Sequence, residues 1–403
     1  MRDSTFLRRV VLKNYKSIAA CDVRLGPLTF LVGPNGAGKS NFLDALRFVA
    51  DALRSSLDHA LRDRGGINDV RRRSGRHPTH FGMRLEFRLR SGETGHYAFR
   101  IGSQRGGGYE VQQEECHIYG VGAHYFRVEN GLLTAMSVKP APAVSADRLY
   151  LVNASGLPEF RPVYDAFSNM GFYSLNPDRI RDLQPPDAGR LLARDGSNLA
   201  SVLAQLEAQS PAVKQRIEEY LGKIVPGIRR VEHRVIGPKE TLEFGQDVAG
   251  SKHPWRFLAA NMSDGTLRAL GILVALHQSG DGNGAGAYVP LVGIEEPELA
   301  LHPAAAGVLI DSLRDASRNV QVVVTSHSPD LLDNPLVEED DILAVVADAG
   351  TTTIGPLDEA GKSALRDRLY TAGELLRLNQ LAPDPAAKGL SGRQLRLFDE
   401  GGD

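Results

Sequence analysis

The chain has few cysteines, few aromatic residues and no long hydrophobic run. Its 403 residues include two cysteines, Cys21 and Cys116, and 6% aromatic residues. Two cysteines are too few for the disulfide framework of a small secreted protein, and they suit a reducing compartment. No stretch approaches the ~18 consecutive apolar residues of a membrane-spanning helix, so the sequence predicts no membrane partner. No apolar signal segment follows Met1, and we therefore expect a cytoplasmic protein.

An excess of charge of one sign is also missing. The chain carries 47 Lys and Arg against 49 Asp and Glu, which gives a net charge of −2. A balanced chain has no overall field to steer it towards nucleic acid, so any contact with DNA needs a local patch. One basic run, residues 71–78 (Arg-Arg-Arg-Ser-Gly-Arg-His-Pro), could contact DNA phosphates or a nucleotide, or could be a solvated loop.

The most specific motif is a glycine-rich loop near the amino terminus. Residues 33–40 read Gly33-Pro34-Asn35-Gly36-Ala37-Gly38-Lys39-Ser40, which completes the GxxxxGK[ST] pattern of a phosphate-binding loop. An apolar strand at 28–32 precedes the motif and a helix follows it, as this loop requires. Backbone N–H groups can converge on phosphates, Lys39 adds a positive charge, and Ser40 can offer its hydroxyl to Mg²⁺. The predicted nucleotide site covers residues 33–41 and ends at Asn41.

A second motif combines an apolar strand with two adjacent carboxylates. Residues 290–298 read Pro-Leu-Val-Gly-Ile-Glu-Glu-Pro-Glu, the pattern of a Walker B site. We expect Glu295 to hold Mg²⁺, directly or through water, and Glu296 to polarise the water that attacks a γ-phosphate. The alternative is a strand followed by a solvated acidic turn, which is less favoured beside a phosphate-binding loop.

Two weaker motifs accompany these. The next strand ends at His327, which is placed to contact a γ-phosphate, although a histidine at a strand end is more often structural. Upstream, Ser263, Asp264 and Gly265 open an apolar helix, where a hydroxyl and backbone N–H groups can meet an anion. In isolation this second motif would be an ordinary helix N-cap.

In this order the four motifs resemble the ABC-type ATPases of the RecF, SMC and OLD group, and most closely the bacterial stand-alone ATPases with RecF-like heads. The resemblance covers about residues 6–346 and implies ATP and Mg²⁺ as cofactors. It also implies a homodimer in which two heads sandwich two ATP molecules, so that Ser263 of one subunit faces the γ-phosphate held by Lys39 of the other. Asp264 stands where transporter-type heads have glycine, and Glu295 where aspartate is usual, which fits the RecF-like group better than transporters.

The pattern along the chain predicts an α/β P-loop NTPase of the ABC/RecF type, with mixed and antiparallel sheets and an inserted helical lobe. No heptad repeat predicts a long coiled coil. The predicted parts are 1–157, the amino-terminal part of the head; 158–227, the helical lobe; 228–355, the carboxy-terminal part of the head; and 356–403, a helix and tail. Gln184 and Gln246 are candidates, by residue type alone, for coupling the nucleotide to the lobe.

The tail carries an independent signal. Gln394-Leu395-Arg396-Leu397-Phe398 follows a linker-like stretch and resembles the short peptide with which bacterial replication proteins dock on the sliding clamp. Its apolar side chains could enter a pocket on this protein, on a neighbouring subunit or on the clamp, and the first two are weighted above the third.

These motifs lead to a ranked set of functional expectations. The first is an ATP-gated dimeric switch that acts on DNA or on a separate effector. Stand-alone members of the resembled family often serve in anti-phage defence with a nuclease or toxin partner. Because few residues follow His327 in this sequence, we expect any nuclease activity to belong to such a partner. RecF-like repair at replication sites ranks second. The ATPase subunit of a transporter ranks third, because the Leu-Ser-Gly-Gly-Gln signature is absent.

Overall fold

The computed structural model describes residues 4–74, 78–104, 107–120, 122–145, 147–279, 288–392 and 395–399. The chain divides into two compact units. The amino-terminal unit comprises Thr5–Met170, Glu339–Leu369 and Leu378–Asp403. The central unit comprises Met1–Ser4, Gly171–Glu338 and Tyr370–Arg377.

The described residues form both strands and helices, in the following chain order. The strands are β1 (Leu7–Tyr15), β2 (Ile18–Arg24), β3 (Leu28–Val32), β4 (His80–Arg88), β5 (Thr94–Ser103), β6 (Tyr109–Tyr119), β7 (His124–Glu129), β8 (Leu132–Met136), β9 (Gly171–Tyr173), β10 (Ile228–Ile236), β11 (Lys239–Gln246), β12 (Trp255–Leu258), β13 (Leu291–Glu295), β14 (Gln321–Ser326), β15 (Ile342–Asp348) and β16 (Thr351–Pro356). The α-helices are α1 (Lys39–Arg54), α2 (Leu57–Arg62), α3 (Ile67–Val70), α4 (Tyr150–Ala154), α5 (Arg161–Ser168), α6 (Pro177–Arg181), α7 (Leu199–Gln209), α8 (Pro211–Ile224), α9 (Asp264–His277), α10 (Ala306–Ala316), α11 (Pro329–Leu332), α12 (Glu359–Arg366), α13 (Ala372–Arg377) and α14 (Pro385–Lys388).

The amino-terminal unit is built on a mixed sheet with the strand order β8-β7-β6-β5-β4-β1-β2-β16-β15-β3. Neighbours from β8 to β2 are antiparallel, whereas β16 pairs with β2 and β15 pairs with β3 in parallel. Alternate residues of β4, including Phe81, Leu85 and Phe87, are fully buried. This period of two gives each strand one core face, as the sequence predicts for this region.

Apolar residues at helical spacing over 41–61 predict one helix after the glycine-rich loop, but the structure has two, α1 and α2. The break follows Arg54, and Ser56 caps α2 by accepting a hydrogen bond from the His59 N–H at 3.0 Å. Serine competes with helical backbone bonds and favours caps, which explains a break that apolar spacing alone does not show. The prediction of one continuous helix is therefore wrong.

Buried charges fasten α1 to the end of β1 and to the residues that follow α2. The Asp44 carboxylate accepts hydrogen bonds from the Tyr15 hydroxyl at 2.8 Å and from Arg64 Nε at 3.0 Å. Lys16 and Arg47 complete the ion pairs at 2.5 and 2.6 Å. Burial alone would raise the pKa of Asp44, but Arg64, Lys16 and Arg47 lower it to about 2. The helix that follows the glycine-rich loop is thus held in a fixed position.

A second buried carboxylate, Glu114 of β6, caps a short helix. It accepts hydrogen bonds from the Tyr150 N–H at 2.5 Å, the Leu151 N–H at 2.9 Å and the Tyr97 hydroxyl at 2.9 Å. Burial nevertheless raises the pKa of Glu114 from 4.5 to about 7, because desolvation of the charge outweighs the three donors.

Glu114 should therefore make stability depend on pH. Since the folded chain binds this proton more tightly than the unfolded chain, the stabilisation is complete below pH 4.5 and is lost as the pH rises through about 7. The loss amounts to about 3 kcal/mol of unfolding free energy. Urea unfolding at pH 5 and pH 8 should show this decline in the native chain and a smaller one in Glu114→Gln. Equal declines in the two proteins would contradict the assignment.

The central unit contains two small sheets, together with helices α6 to α11 and α13. Its parallel sheet has the order β14-β13-β9, and a separate antiparallel sheet has the order β10-β11-β12. Helices α7 and α8 agree with the helical pattern in the sequence. The strand β9 interrupts that pattern and is missed by it, because three residues are too few to show a period.

The domain boundaries predicted from the sequence stay predictions, and the structure groups the chain in another way. Helix α5, predicted to belong to the helical lobe, is part of the amino-terminal unit. The Tyr164 hydroxyl donates to the Leu53 carbonyl at 3.1 Å, and the Arg54 guanidinium donates to the Ser168 carbonyl at 2.5 Å. Contacts with α1 thus hold α5 to this unit.

None of the helices in the described part of the chain has the length and apolar character of a membrane span.

Candidate nucleotide site

The glycine-rich loop connects β3 to α1 in the amino-terminal unit. All five residues of β3 are buried, and α1 begins at Lys39 with Gly38 as its N-cap. Gly38 has φ +102°, a left-handed conformation that glycine adopts without strain. No side chain caps the first turn of α1, and no acidic residue lies in it. The positive end of the helix dipole is therefore available to an anion.

The loop packs tightly against β15 and β16. A Cβ atom at Gly33 would lie 2.0 Å from the Val345 carbonyl oxygen, and one at Gly38 would lie 2.1 Å from Thr352 Oγ1. At Gly36, by contrast, no atom of the described residues beyond its two chain neighbours lies within 4 Å of an added Cβ. The loop thus has one packed side and one open side. Pro34, Asn35, Gly36 and Ser40 are exposed, whereas Ala37 is buried.

Lys39 lies over the loop itself. Its side chain is buried, and Nζ donates to the Gly33 carbonyl at 2.8 Å and to the Pro34 carbonyl at 3.0 Å. An ammonium group held at the uncapped end of a helix suits phosphate oxygens, and the exposed Ser40 hydroxyl suits Mg²⁺. The residues of the loop therefore fit a nucleotide with its metal ion.

A chain of hydroxyl and amide groups braces the loop from behind. Asn41 Nδ2 donates to Ser17 Oγ at 2.6 Å, Ser17 Oγ lies 2.7 Å from Thr352 Oγ1, and Thr352 donates to the Ala37 carbonyl at 2.9 Å. Asn41, predicted to be part of the nucleotide site, thus supports the loop. Sequence reasoning missed Thr352, because it lies more than 300 positions away along the chain and belongs to no motif.

The basic run is used inside the protein. Arg72 donates to the Ser17 carbonyl at 2.6 Å and to Thr351 Oγ1 at 2.7 Å, so it supports the same brace. Arg71 donates to the Pro78 carbonyl at 2.7 Å, and Arg73 pairs with Asp69. Residues 75–77, including Arg76 and His77, lie outside the described residues. These contacts favour a structural role for Arg71 and Arg72 over a role in binding DNA, whereas the Arg73 side chain is 77% exposed.

The paired carboxylates lie at the end of β13 in the central unit. In the parallel pairing of β13 with β14, Glu295 is opposite Thr325, so the carboxyl ends of both strands meet at one edge. The Glu296 N–H donates to the Thr325 carbonyl at 3.0 Å. Glu296 has φ +46°, a left-handed conformation that is uncommon for a residue with a side chain and is often found at functional sites.

Glu296 and His327 are in contact. His327 Nδ1 lies 3.0 Å from Glu296 Oε1, and about a third of each side chain is exposed (33% and 30%). The sequence places these residues on successive strands, and the parallel sheet brings them together. A carboxylate whose orientation is fixed by an imidazole can accept a proton from a neighbouring water molecule.

Two residues that were not predicted as site residues, Arg194 and Glu298, contact the residues at the ends of β13 and β14. Arg194 Nη2 lies 3.6 Å from Glu295 Oε1, so the carboxylate predicted to hold Mg²⁺ already faces a positive charge. Glu298 Oε1 accepts a hydrogen bond from Ser326 Oγ at 2.6 Å, and Ser326 Oγ accepts one from the Ser328 N–H at 3.1 Å. Burial raises the pKa of Glu298. Glu298 therefore holds the residues on both sides of His327.

The third motif opens α9. Ser263 is the N-cap, and its Oγ accepts a hydrogen bond from the Thr266 N–H at 3.2 Å. Asp264 pairs with Arg181 of α6. A Cβ atom at Gly265 would lie 2.3 Å from the Ala300 carbonyl oxygen, so this glycine permits close packing on the turn after β13. Ser263 and Asp264 are exposed at the surface of the central unit.

The two glutamines considered for coupling are not at this edge of the parallel sheet. Gln184 is buried, and its Oε1 accepts a hydrogen bond from the Ala200 N–H at 2.9 Å. Gln246 belongs to β11 and pairs with Trp255 of β12. Coupling through either residue stays a prediction.

Comparison with known families identifies the chain. Residues 28–111 and 155–333, more than half of the chain, match the family described as "AAA domain, putative AbiEii toxin, Type IV TA system". The chain belongs to this AAA-domain family. The recognition made from the sequence, an ABC-type ATPase of the RecF, SMC and OLD group, is confirmed.

Similar curated proteins agree with this membership. An OLD nuclease of Thermus scotoductus is 45% identical over 51 residues, which are 13% of this chain and 10% of that protein. A DNA replication and repair protein RecF of Vibrio vulnificus is 44% identical over 41 residues, 10% of this chain and 11% of that protein. Structural maintenance of chromosomes protein 1 of Schizosaccharomyces pombe is 32% identical over 118 residues, 27% of this chain and 10% of that protein. These matches span about a tenth of each relative.

Solved structures confirm the fold. An SMC head bound to the C-winged helix domain of ScpA superposes with a TM-score of 0.55 at 15% identity, covering 88% of this chain and 99% of that one. An SMC head with an extended coiled coil, bound to the C-terminal domain of ScpA from Pyrococcus furiosus, gives 0.56 at 13% identity, covering 90% and 99%. The longest helix among the described residues of this family member is α1, with 16 residues. The predicted fold, an ABC-type head without a long coiled coil, is confirmed.

Proposed function

We propose that the protein is an ATP-gated homodimeric switch that hydrolyses ATP and acts on DNA or on a separate effector, foremost in anti-phage defence. The contact between Glu296 and His327 is the observation that supports ATP hydrolysis, the central part of this proposal. A strained glutamate held against a histidine at the end of a buried strand suits an activated water better than a merely solvated turn. The membership of an ATPase family supports the same conclusion.

Each residue of the site has a role in this proposal. Lys39 and backbone N–H groups within the glycine-rich loop would bind the phosphates, and Ser40 and Glu295 are the residues that would hold Mg²⁺. The metal ion, when bound, neutralises the charge on the phosphates. Glu296 accepts the proton of the attacking water. His327 orients Glu296 and contacts the γ-phosphate, and Glu298 holds the backbone on either side of His327 through Ser326.

Dimerisation through ATP is the second part of the proposal. In the resembled family, the segment that corresponds to Ser263, Asp264 and Gly265 meets the nucleotide held by a second subunit. The exposure of Ser263 and Asp264 at the start of α9 supports this role. The pair between Asp264 and Arg181 would link such a contact to α6, in the segment that the sequence predicts to be the helical lobe.

Two biological settings are supported by different observations. The matched family is described with a type IV toxin–antitoxin system, which favours a defence role with a toxin or nuclease partner. The similarity to RecF proteins favours a second candidate, an ATPase of DNA repair at replication sites. A transporter subunit has no observation of its own in favour of it.

A capture experiment tests the two settings against each other. Glu296→Gln protein, loaded with ATP in its native host, would be purified and its companions identified by mass spectrometry. Glu359→Gln, which changes a side chain that is 83% exposed, would serve as the matched control. The defence proposal predicts a nuclease-like or toxin-like companion that is enriched over the control. Enrichment of repair proteins or the sliding clamp alone would contradict it and favour the second candidate.

A further inference from the structure

Residues 395–399 lie against the antiparallel sheet of their own unit. Of the five residues of the clamp-like motif, Leu395 to Phe398 are described and Gln394 lies outside the described residues. Leu397 is 2% exposed. An apolar side chain that is buried so completely near the end of a chain needs a pocket that receives it.

Gly82 of β4 provides the space for Leu397. A Cβ atom at this position would lie 2.5 Å from Leu397 Cδ1. Glycine inside a strand weakens the strand and often marks a place where another group approaches closely. The missing side chain at position 82 therefore shapes a pocket for the leucine of the tail.

Polar side chains of the sheet bind the backbone of Leu397 and Asp399 and the side-chain carboxylate of Asp399. Arg84 donates to the Leu397 carbonyl at 3.1 Å and pairs with Asp399 Oδ1 at 2.9 Å. Arg127 donates to the Asp399 carbonyl at 2.8 Å, and the Asp399 N–H donates to Glu115 Oε1 at 3.0 Å.

A further contact involves the aromatic residue of the motif. The Arg100 guanidinium lies 5.2 Å from the centroid of the Phe398 ring, within the range of a cation–π interaction. The segment thus makes backbone, ionic, apolar and aromatic contacts with one face, as a bound peptide ligand does.

The floor of this site is a buried polar cluster. His96 Nε2 lies 2.9 Å from Glu115 Oε1, and both side chains are fully buried. With His117, these residues have the composition of a metal site. However, the rings of His96 and His117 are stacked 4.9 Å apart with an interplanar angle of 11°, so their nitrogen lone pairs lie in parallel planes and do not converge on one point.

The charges around Glu115 also argue against a metal ion at this cluster. Arg127 lies 2.9 Å and Arg84 3.6 Å from the Glu115 carboxylate, so two guanidinium groups already supply its positive partners. We therefore interpret the cluster as the polar floor beneath the tail and not as a metal centre.

We propose that this face is a peptide-binding site for a Leu-x-Leu-Phe-Asp segment, filled by the protein's own carboxy-terminal residues 395–399. Binding of the tail to this face excludes its binding to a pocket on another protein, because Leu397 cannot enter both. The tail can reach a sliding clamp or another subunit only after it leaves this face.

Peptide binding to the full-length chain tests the proposal. A fluorescein-labelled peptide with the sequence of residues 394–403 would be titrated against Leu397→Asp protein and against the native protein. An aspartate buried where Leu397 lies carries a large desolvation penalty, so we expect the variant's own tail to leave the site open. In the native chain the tail competes at a high effective concentration, so binding to Leu397→Asp should be at least ~10-fold tighter.

A matched glycine pair shows whether the pocket is responsible. In the Leu397→Asp background, Gly82→Ala should weaken the binding of the peptide by ~10-fold or more, since its methyl group fills the pocket. Gly26→Ala should not change binding, because an added Cβ there lies no closer than 3.5 Å to another atom. No detectable binding of the peptide to a Leu397→Asp protein with native thermal stability would overturn the proposal.

Proteolysis of the otherwise native tail gives a second test, which holds even if Leu397→Asp does not fold. Trypsin should cleave after Arg396 slowly, because Leu397 on the other side of the bond is buried. Gly82→Ala should accelerate this cleavage by ~10-fold or more, and Gly26→Ala should not. Equal rates in the native and Gly82→Ala proteins, measured by intact mass, would show that the site does not retain the tail.

Discussion

A Lys39→Ala protein should bind ATP at least ~10-fold more weakly than the native protein, because a charge-assisted hydrogen bond to phosphate is lost. The buried Lys39 ammonium donates to the Gly33 and Pro34 carbonyls and would turn from them to a phosphate. Titration with a fluorescent ATP analogue, with Mg²⁺ present, measures the effect.

The control for this variant tests whether the loop stays folded. Removing Lys39 leaves the Gly33 and Pro34 carbonyls without this hydrogen-bond donor. Thermal unfolding would show whether the loop and α1 remain folded, and Lys362→Ala, which removes a lysine from α12, provides a matched substitution. Native ATP affinity in a correctly folded Lys39→Ala protein would refute the assignment of the phosphate-binding loop.

A Glu296→Gln protein should bind ATP normally and hydrolyse it ~100- to 10,000-fold more slowly, the range expected for the loss of a general base. Glutamine keeps the size of the side chain and can still bond to His327, but it cannot accept the proton of the attacking water. Steady-state phosphate release measures hydrolysis, and nucleotide titration measures binding in the same protein.

Glu359→Gln controls for the loss of one negative charge, since it changes an exposed carboxylate of α12. Turnover by Glu296→Gln within twofold of the native rate would mean that another group activates the water. Glu298 would then be the next candidate, because its buried carboxyl lies in the same turn and is already bonded to Ser326.

The parts of the site that the sequence predicts are those that local chemistry determines. The glycine-rich loop needs a strand, a turn and a helix in succession, and all of these lie within 28–54. The contact between Glu296 and His327 could also be expected, because the ends of successive parallel strands meet at one edge of a sheet.

The parts that the sequence does not predict depend on contacts across long separations. Thr352 supports the loop from β16, and Arg194 reaches Glu295 from the segment between α6 and α7. Single polar residues outside a motif carry no periodic signal, so nothing in their surroundings indicates a partner. The internal contacts of Arg72 are equally hard to predict. The sequence around an arginine that donates to backbone carbonyls does not differ from the sequence around a solvated arginine.

The mass of the Glu296→Gln protein in solution, measured by light scattering with and without ATP and Mg²⁺, shows whether ATP joins two subunits. A monomer is expected without nucleotide and a stable dimer with ATP, because this variant cannot hydrolyse ATP to reopen the dimer. Addition of Ser263→Arg should preserve ATP binding and abolish this dimer, because the exposed N-cap of α9 would then carry a bulky side chain. A protein that binds ATP but keeps the same mass would contradict the switch.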